Sequence, residues 1–409
     1  MKKTLLLSVV ASTMIMAGGD IAPVEPVVET PAPVASTEAS GWDFGGQAVA
    51  YTQTIDASGS ESLFDDKSTY AAWGAQLRAV NKDIFAGIGA GIEVSGIHND
   101  DGANKGFYKG GGNAGTTSGG ITQAYLTYGV ANTSLKLGRQ TLPKGLSPFA
   151  FSEGWQMFKN TFDAALIVNS DVPDTTLVYA FVKNANRSVG AYTNEDSFTA
   201  LNGEDGVHML TAQNKSIEGL TLTGSYYTAS DAFDALWGDA KFKISDFTVA
   251  LQGGQVDPDA NDATTALGAK IGGDFGMFGA SVAYSTVSDD VAGISNATGV
   301  KSPLYTQMVL NNVGQYHAAA GSDFLKVSAT AKALGGKFIL GYGAGSNDLD
   351  KTKGDYTELD LMYKTKITDN VKLFAAYVYT DDDKYSEASA TGSRPSENNF
   401  VRVWARYAF

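Results

Sequence analysis

The residue types that most often perform catalysis or bind metals are scarce in this sequence. Its 409 residues include no cysteine and only three histidines, His98, His208 and His317. No two of these histidines lie at metal-ligand spacing, so scattered solvated or wall histidines are the simpler interpretation. The sequence also lacks a glycine-rich phosphate motif, a nucleophile elbow and a pair of carboxylates placed for catalysis. We therefore expect no catalytic residues and no metal site.

Acidic residues form two clusters that could bind a hard cation. One contains Asp257, Asp259 and Asp262, and the other contains residues 381–383 together with Glu387. Carboxylate oxygens bind Ca²⁺ and Mg²⁺, but neither cluster has the spacing of an EF-hand. Solvated loop charge explains both clusters more simply. We expect no cofactor, and loosely bound Ca²⁺ or Mg²⁺ at these loops is left open.

The composition excludes one class of partner and favours one kind of secondary structure. The formal net charge is -14 at pH 7, which repels nucleic acid. The chain contains 47 glycines, 19 tyrosines and 20 phenylalanines but only 10 prolines. This combination is typical of twisted strands with aromatic belts rather than of disorder.

The N-terminal part differs from the rest of the chain. Residues 1–3 are basic, residues 4–17 are apolar, and Gly18 and Gly19 break the apolar run. This pattern predicts a cleaved signal peptide over residues 1–17, which is too short for a comfortable membrane-spanning helix. Residues 18–41 are rich in Pro, Val, Ala and Glu, and we interpret them as a flexible periplasmic leader. One domain is then expected over residues 42–409.

The dominant pattern of that domain is an alternation with a period of two. In the clearest stretch, Ile88, Ile92 and Val94 lie on one face and Glu93 lies on the other, between glycines. Such a pattern predicts a strand with one oily face and one small or polar face. A helix is disfavoured, because each interior glycine would weaken it by about 1 kcal/mol. A one-residue slip would move Glu93 onto the oily face, so the pattern also fixes the register.

The connections between the strands alternate between tight turns and longer polar loops. Tight turns are expected near residues 81–83, 132–133, 171–174, 217–219, 245–246, 274–276, 334–336 and 368–370. Longer loops are expected at 55–68, 98–120, 142–162, 183–205, 229–235, 257–263, 288–322, 346–354 and 381–398. The alternation predicts an all-β transmembrane antiparallel barrel of about 18 strands with both chain ends on the periplasmic side. The strand number could differ by two, because residues 288–322 could hold a further hairpin.

The C-terminus ends on one more alternating strand. Val401, Val403, Ala405, Tyr407 and Phe409 share one face, and Arg402, Trp404 and Arg406 share the other. A terminal phenylalanine that closes an alternating strand resembles the signal read by the machinery that assembles outer-membrane barrels. We therefore interpret Tyr407 and Phe409 as an assembly signal. A terminal edge strand of a soluble sheet is the alternative, but it would leave its aromatic end exposed.

A stiff apolar loop follows residues 135–140, which read Leu-Lys-Leu-Gly-Arg-Gln. Pro143, Pro148 and several aromatic residues make residues 142–162 unusually apolar for an exposed loop. This stretch resembles the major outer membrane porins of Campylobacter-type bacteria and the related substrate-specific porins of pseudomonads. The resemblance implies an 18-stranded trimeric channel whose third long loop folds inward. A loop that lies on a neighbouring subunit is the alternative, because apolar patches also mark interfaces.

The resemblance also places candidate pore-lining residues. Carried onto this chain, it makes residues 142–162 the constriction loop, with Arg139, Lys159 and Asp163 at its feet. One detail departs from simple alternation, because Arg139 shares parity with Leu135 and Leu137 and would face lipid unless a bulge re-aims it. The full set of candidate constriction and pore-lining residues is Arg139, Lys144, Lys159, Asp163, Glu93, Arg78, Arg402 and Arg406.

These observations predict an outer-membrane porin through which ions and small hydrophilic solutes diffuse passively. Its partners would be outer-membrane lipid, lipopolysaccharide, the barrel assembly machinery and two further copies in a homotrimer, but not nucleic acid. Acidic loops and bases near the tight turns together predict a weak preference for cations. A substrate-selective channel or a surface adhesin barrel is the alternative. A barrel enzyme would need a base beside a nucleophile, which three separated histidines do not favour.

Overall fold

The computed structural model describes residues 41–57, 62–65, 68–99, 117–186, 198–290, 292–297, 301–311, 317–347, 355–382 and 397–409. The predicted signal peptide and nearly all of the predicted leader lie outside these residues, as do Asp383 and Glu387 of the second acidic cluster. Within the described parts of the chain, no helix is long and apolar enough to cross a membrane.

Almost all of the regular structure is β-strand. The first ten strands are β1 Asp43–Ala57, β2 Thr69–Phe85, β3 Ile88–Asn99, β4 Thr117–Val130, β5 Thr133–Gln140, β6 Phe162–Asn169, β7 Thr175–Asn186, β8 Phe198–Ala200, β9 Val207–Asn214 and β10 Leu220–Ala229. The others are β11 Phe233–Ile244, β12 Phe247–Pro258, β13 Thr264–Asp274, β14 Phe278–Val287, β15 Ser322–Ala333, β16 Gly336–Asn347, β17 Tyr356–Lys366, β18 Val371–Asp382 and β19 Glu397–Ala408.

The strands form one closed antiparallel ring. Apart from the short β8, each strand pairs with its neighbours in sequence, and β1 pairs with both β2 and β19, which closes the sheet on itself. The short β8 continues the position of β9, since β7 pairs with β9 over residues 175–182 and with β8 over residues 184–186. The ring therefore has 18 strand positions, which confirms the predicted barrel and its size.

Tight turns and longer loops alternate around the ring, with two differences from the sequence-based expectation. The turn expected at 81–83 lies instead at Ala86 and Gly87, whose φ angles of 52° and 83° suit a two-residue hairpin turn. Asn81 and Asp83 accept backbone N–H groups in an irregular segment of the hairpin before that turn. In addition, the connection from β10 to β11 is only residues 230–232, because strand pairing runs further than the polar residues suggested.

The two faces of the ring have opposite character, as alternation predicts. On β14, Ser281 and Ser285 are 6% and 0% exposed, whereas Val282 and Tyr284 are 43% and 47% exposed. The outward face is apolar on every side of the ring, which matches a surface that contacts lipid. The inward face is buried because loop segments pack against it.

Candidate functional site

The third loop, residues 141–161 between β5 and β6, packs against inward-facing residues of distant strands. Near its start, the Phe149 ring contacts the rings of Tyr227 and Trp237, each with a centroid distance of 5.4 Å. Phe149 is 7% exposed, and Tyr227 and Trp237 carry the inward parity of β10 and β11. The apolar residues that made this loop unusual in the sequence are therefore in contact with the inner wall, not with an outer surface.

Two arginines of the last strand hold the far part of this loop. Arg402 donates from Nη1 to the Trp155 carbonyl at 2.8 Å, and its guanidinium stacks 3.9 Å from the centre of the Trp155 ring. Arg402 also donates to Gln53 Oε1 at 2.6 Å. Arg406 donates to the Gln156 carbonyl at 3.2 Å. Both arginines are buried, 4% and 7% exposed, and they serve as anchors of the loop; their place in the pore lining stays a prediction.

A glycine on β2 allows the loop to approach the wall. A Cβ atom on Gly74 would lie 2.7 Å from Met157 Sδ and 2.9 Å from the Phe158 ring, so any side chain there would displace the loop. In the sequence, Gly74 is one of several small residues in β2. Its spacing carried no signal that a loop from residues 157–158 would cross it.

The seventh loop joins β14 to β15, and its described residues 288–290, 292–297, 301–311 and 317–321 also pack inside the ring and contact the third loop. Asn296 donates from Nδ2 to Glu153 Oε1 at 2.8 Å and accepts the Phe151 N–H at 3.0 Å. The Lys301 N–H donates to the same Glu153 oxygen at 3.1 Å. Glu153, the single acid of the third loop, is thus occupied in binding the seventh loop. No local pattern indicates this contact, because residues 288–322 have the composition of an ordinary long polar loop.

Tyr305 and the strand β11 fix the middle of the seventh loop. The Tyr305 hydroxyl donates to Asp239, and Lys241 Nζ lies 3.3 Å from Asp239 Oδ1. Burial and the neighbouring carboxylate raise the pKa of Tyr305 above its ordinary value, so the hydroxyl remains a donor. The hydroxyl of Tyr305 therefore donates to Asp239 throughout the physiological pH range.

His317 is fully buried in the same loop. Its Nε2 lies 2.8 Å from Ser302 Oγ and 3.1 Å from Gln307 Oε1. Burial, together with the ammonium groups of Lys326, Lys301 and Lys144, lowers the pKa of His317 to about 3. This neutral histidine joins two stretches of the seventh loop.

Glu93 and Arg78 lie on the same face of the sheet, and their place in the pore lining stays a prediction. They occupy directly opposed positions on β3 and β2. Glu93 Oε1 accepts hydrogen bonds from Thr122 at 2.8 Å and from Gln76 at 3.2 Å. Arg78 is more exposed and lies nearer the end of the ring with the tight turns.

Arg139 and Asp163, which the sequence places at the feet of the constriction loop, bind each other, and their place in the pore lining stays a prediction. They oppose each other on β5 and β6 and form an ion pair with Arg139 Nε 2.8 Å from Asp163 Oδ1. Both carry the outward parity, since Gln140 and Phe162 beside them are buried in the interior. The β4–β5 and β5–β6 registers run through Arg139 without a shift, whereas the β6–β7 register shifts between Asp163 and Ala164. The Phe198 ring, 3.5 Å from the guanidinium, covers the pair on the outside.

The two lysines of the third loop have different surroundings. Lys144 donates from Nζ to the Ser302 carbonyl at 3.1 Å and so adds a further contact between the two loops. Lys159 is half-buried near the return to β6. The structure therefore brings Lys144, Arg402, Arg406, Glu93 and Arg78 to the interior and leaves the Arg139–Asp163 pair outside.

The inner wall carries many more bases than acids. On the described strands, the bases with inward parity are Arg78, Lys136, Lys241, Lys243, Lys270, Lys326, Lys332, Lys337, Lys364, Lys366, Lys372, Arg402 and Arg406. The acids with the same parity, where the structure describes the side chain, are Asp43, Glu93, Asp239, Asp274, Glu358 and Asp360.

Strand register arranges six of these bases in two rows. Lys332, Lys337 and Lys364 are directly opposed on β15, β16 and β17. Lys366, Lys372 and Arg406 are directly opposed on β17, β18 and β19. Like charges in directly opposed positions destabilise a sheet, so these rows act against stability. They form a positively charged surface on one side of the lumen near the tight turns.

The predicted assembly signal completes the ring at the same end. Phe409 N–H donates to the Gly46 carbonyl at 3.1 Å, and Gly46 N–H donates to the Phe409 carbonyl at 2.9 Å. The rings of Tyr407 and Phe409 are 5.9 Å apart and half-exposed on the outward face. The last residue thus takes part in closing β19 against β1.

The acidic clusters have no metal-binding geometry in the part of the chain that the structure describes. No three or more His, Asp or Glu side chains there are grouped closely enough to hold an ion. Asp257, Asp259 and Asp262 are exposed at the end of β12 and in the loop that follows it.

A closed ring with an apolar outside and a charged interior packed with loops is the fold of outer-membrane porins. No protein-family model and no curated protein sequence matches the chain. Solved structures do match in fold. OccD3 (OpdP) of Pseudomonas aeruginosa has a TM-score of 0.70 at 13% identity, covering 95% of this chain and 98% of that chain.

Two further structures give a similar result. OccK2 (OpdF) of Pseudomonas aeruginosa in complex with glucuronate has a TM-score of 0.70 at 12% identity, covering 90% of this chain and 98% of that chain. Acinetobacter baumannii OccAB2 has a TM-score of 0.70 at 14% identity with the same coverage. These likenesses support a porin fold. The resemblance to Campylobacter-type porins stays a prediction.

Proposed function

We propose that the protein is an outer-membrane channel through which ions and small hydrophilic solutes diffuse passively. The observation that carries this proposal is the closed ring of 18 strand positions with an apolar outside and a charged inside. An apolar band on the outside suits lipid, and a charged interior suits water and polar solutes. The protein would be exported by its signal peptide and inserted through its C-terminal strand.

The third and seventh loops would form the constriction. Both pack against the inner wall, and the Glu153–Asn296 hydrogen bond joins them inside the ring. Loops that occupy part of a lumen reduce its cross-section, so excising part of residues 141–161 should raise the single-channel conductance. An unchanged conductance together with a lost oligomer would instead favour the alternative of an interface loop.

A channel selective for small anionic solutes is the second candidate function. The two rows of bases on β15 to β19 favour this function, because lysine and arginine side chains that line a pore make it selective for anions. Glu153, the acid of the third loop, binds the seventh loop and does not balance these bases. The similar OccK2 structure contains glucuronate, a carboxylate. The acidic outer loops instead favour cations, in agreement with the weak cation preference that the sequence predicts.

The reversal potential in a salt gradient across a planar bilayer separates these candidates. If the reversal potential has the cation-selective sign and loses it after neutralisation of the exposed aspartates at 257–262, the acidic loops determine the ion selectivity. An anion-selective sign that weakens in the double variant Lys337→Gln and Lys372→Gln would support control by the basic rows. Lys215→Gln is the matched control, since Lys215 lies exposed in a tight turn. The difference in reversal potential between the wild-type protein and these variants should decrease in 1 M salt, where the Debye length falls to about 3 Å.

Three expectations from the sequence belong to the same proposal. The protein would assemble as a homotrimer in contact with lipopolysaccharide, and its loops would carry no obligatory cofactor. It would not be an enzyme, because the histidine that lies beside a hydroxyl inside the ring, His317 next to Ser302, is fully buried together with its partner and offers a substrate no access. If purified protein in a bilayer produced no conductance, an adhesin or structural barrel would be the better interpretation.

A further inference from the structure

The seventh loop rests on a glycine floor inside the ring. Gly341 and Gly343 carry the inward parity of β16. A Cβ atom on Gly343 would lie 3.0 Å from Met308 Cγ, and one on Gly341 would lie 3.4 Å from Met308 Cε. The absence of side chains at these two positions therefore provides the space in which Met308 sits.

Charged side chains form the two walls beside this floor. Register places Gly343 directly between Lys326 on β15 and Glu358 on β17, and it opposes Gly341 to Asp360. All three charged residues are almost fully buried, with 4%, 0% and 2% exposure in the order Lys326, Glu358 and Asp360. We call these five residues the cradle.

The cradle binds the main chain of the loop, not its side chains. Leu310 N–H donates to Glu358 Oε1 at 2.6 Å, and Val309 N–H donates to Asp360 Oδ2 at 3.3 Å. On the other wall, Lys326 donates from Nζ to the Gln307 carbonyl. Three backbone groups within four residues are thus bound by charged side chains. Such contacts are strong when intact, but they can be exchanged for water when the segment moves into an aqueous lumen.

The charges of the cradle do not balance. Two adjacent carboxylates face one ammonium group, and like charges so close together oppose each other's ionisation. A buried ionic cluster of this kind contributes little net stability, because desolvation offsets the attraction. The cradle therefore fixes where the segment binds without making its binding very tight.

We propose that residues 301–311 form a stopper that leaves the cradle as a unit and so switches the channel between a low and a high conductance level. This inference rests on the proposed channel function. The stopper lies inside the lumen against β15, β16 and β17, so its departure widens the path. Among the described residues, the charged or titratable groups that contact the stopper or its direct partners are Lys144, Glu153, Asp239, Lys241, Lys270, His317, Lys326, Tyr356, Glu358 and Asp360.

A reversible cross-link tests the motion directly. The Cβ atom expected at position 343 lies 3.0 Å from Met308 Cγ, which brings the pair Met308→Cys and Gly343→Cys within disulfide range. The chain has no other cysteine, so the bond is unambiguous. In single-channel recordings, the oxidised variant should lose the high level, and a reductant should restore it.

Neutralising the two acids of the cradle tests whether they hold the stopper in place. The double variant Glu358→Gln and Asp360→Asn should raise the time spent in the high level by about tenfold or more, since it weakens two charged hydrogen bonds. Glu218→Gln is the control, because Glu218 is an exposed acid in a tight turn and does not contact the stopper. It should leave the occupancy of the two levels unchanged.

The outcomes distinguish this inference from the proposed function. Wild-type protein that conducts at one level, unaffected by the cross-link and by the double variant, would overturn the stopper and leave the channel intact. Wild-type protein that does not conduct would overturn the channel function itself. If the double variant fails to fold, the cross-linked pair alone still decides between a fixed and a mobile segment.

Discussion

Replacing Arg402 by methionine should release the third loop from the inner wall. The loop would lose the hydrogen bond between Arg402 Nη1 and the Trp155 carbonyl, 2.8 Å long, and the stacking of the guanidinium on the Trp155 ring at 3.9 Å. The hydrogen bond to Gln53 belongs to the wall itself and is lost whether or not the loop is docked. Methionine keeps most of the apolar volume, so the change removes mainly polar contacts.

The magnitude follows from these two contacts. A hydrogen bond to a charged group contributes about 1.5–3 kcal/mol, and a desolvated cation–π contact about 2 kcal/mol. Docking of the loop should therefore weaken by about 3–5 kcal/mol, which raises the undocked fraction at least about a hundredfold at 1.4 kcal/mol per factor of ten. Arg406→Met should have a smaller effect, because the loop loses one longer hydrogen bond, 3.2 Å, to the Gln156 carbonyl.

Single-channel recording in a planar bilayer measures the effect as added current noise and a higher mean conductance. Lys366→Met is the control, since it removes an inward base that neighbours Lys372 rather than the loop. An intact barrel in each variant is shown by faster migration of the unheated protein on a gel. Wild-type noise in Arg402→Met, or an equal change in all three variants, would refute the anchoring argument.

Three further changes test other parts of the structure. Gly74→Ala should displace Met157 and raise the conductance at a cost of about 1–3 kcal/mol, whereas Gly96→Ala, whose added Cβ would meet only a carbonyl oxygen at 4.0 Å, should leave recordings unchanged. Deletion of Phe409 should lower the amount of protein in outer-membrane fractions far more than it lowers the thermal stability of refolded protein; normal surface levels would contradict this. Because the pKa of His317 is lowered to about 3, docking of the seventh loop has its full stability above the ordinary value of 6.5 and loses stability as the pH falls toward 3. Current noise should therefore grow between pH 7 and pH 4, and His317→Gln should reduce that growth; an identical pH profile in the variant would exclude His317 as a cause.

The sequence by itself determined the barrel, because the relevant information is local. Alternation with a period of two fixes which face of each strand is oily, and turn residues fix where each hairpin reverses. Alternation puts Glu93 on the polar face of β3, and in the structure Glu93 binds Gln76 and Thr122 on the neighbouring strands. Alternation also gives Arg139 the parity of Leu135 and Leu137, and the β4–β5 register keeps that parity.

The loops inside the ring were decided only by tertiary structure. The contacts that hold them join residues far apart in sequence, 158 positions for Lys144 with Ser302 and 145 positions for Phe151 with Asn296. No local pattern encodes such a pairing, because a buried loop needs partners that only the closed ring brings within reach. The third loop was recognisable by its apolar residues, but the seventh loop binds through backbone groups to Glu358 and Asp360 and therefore leaves almost no trace in its own side chains.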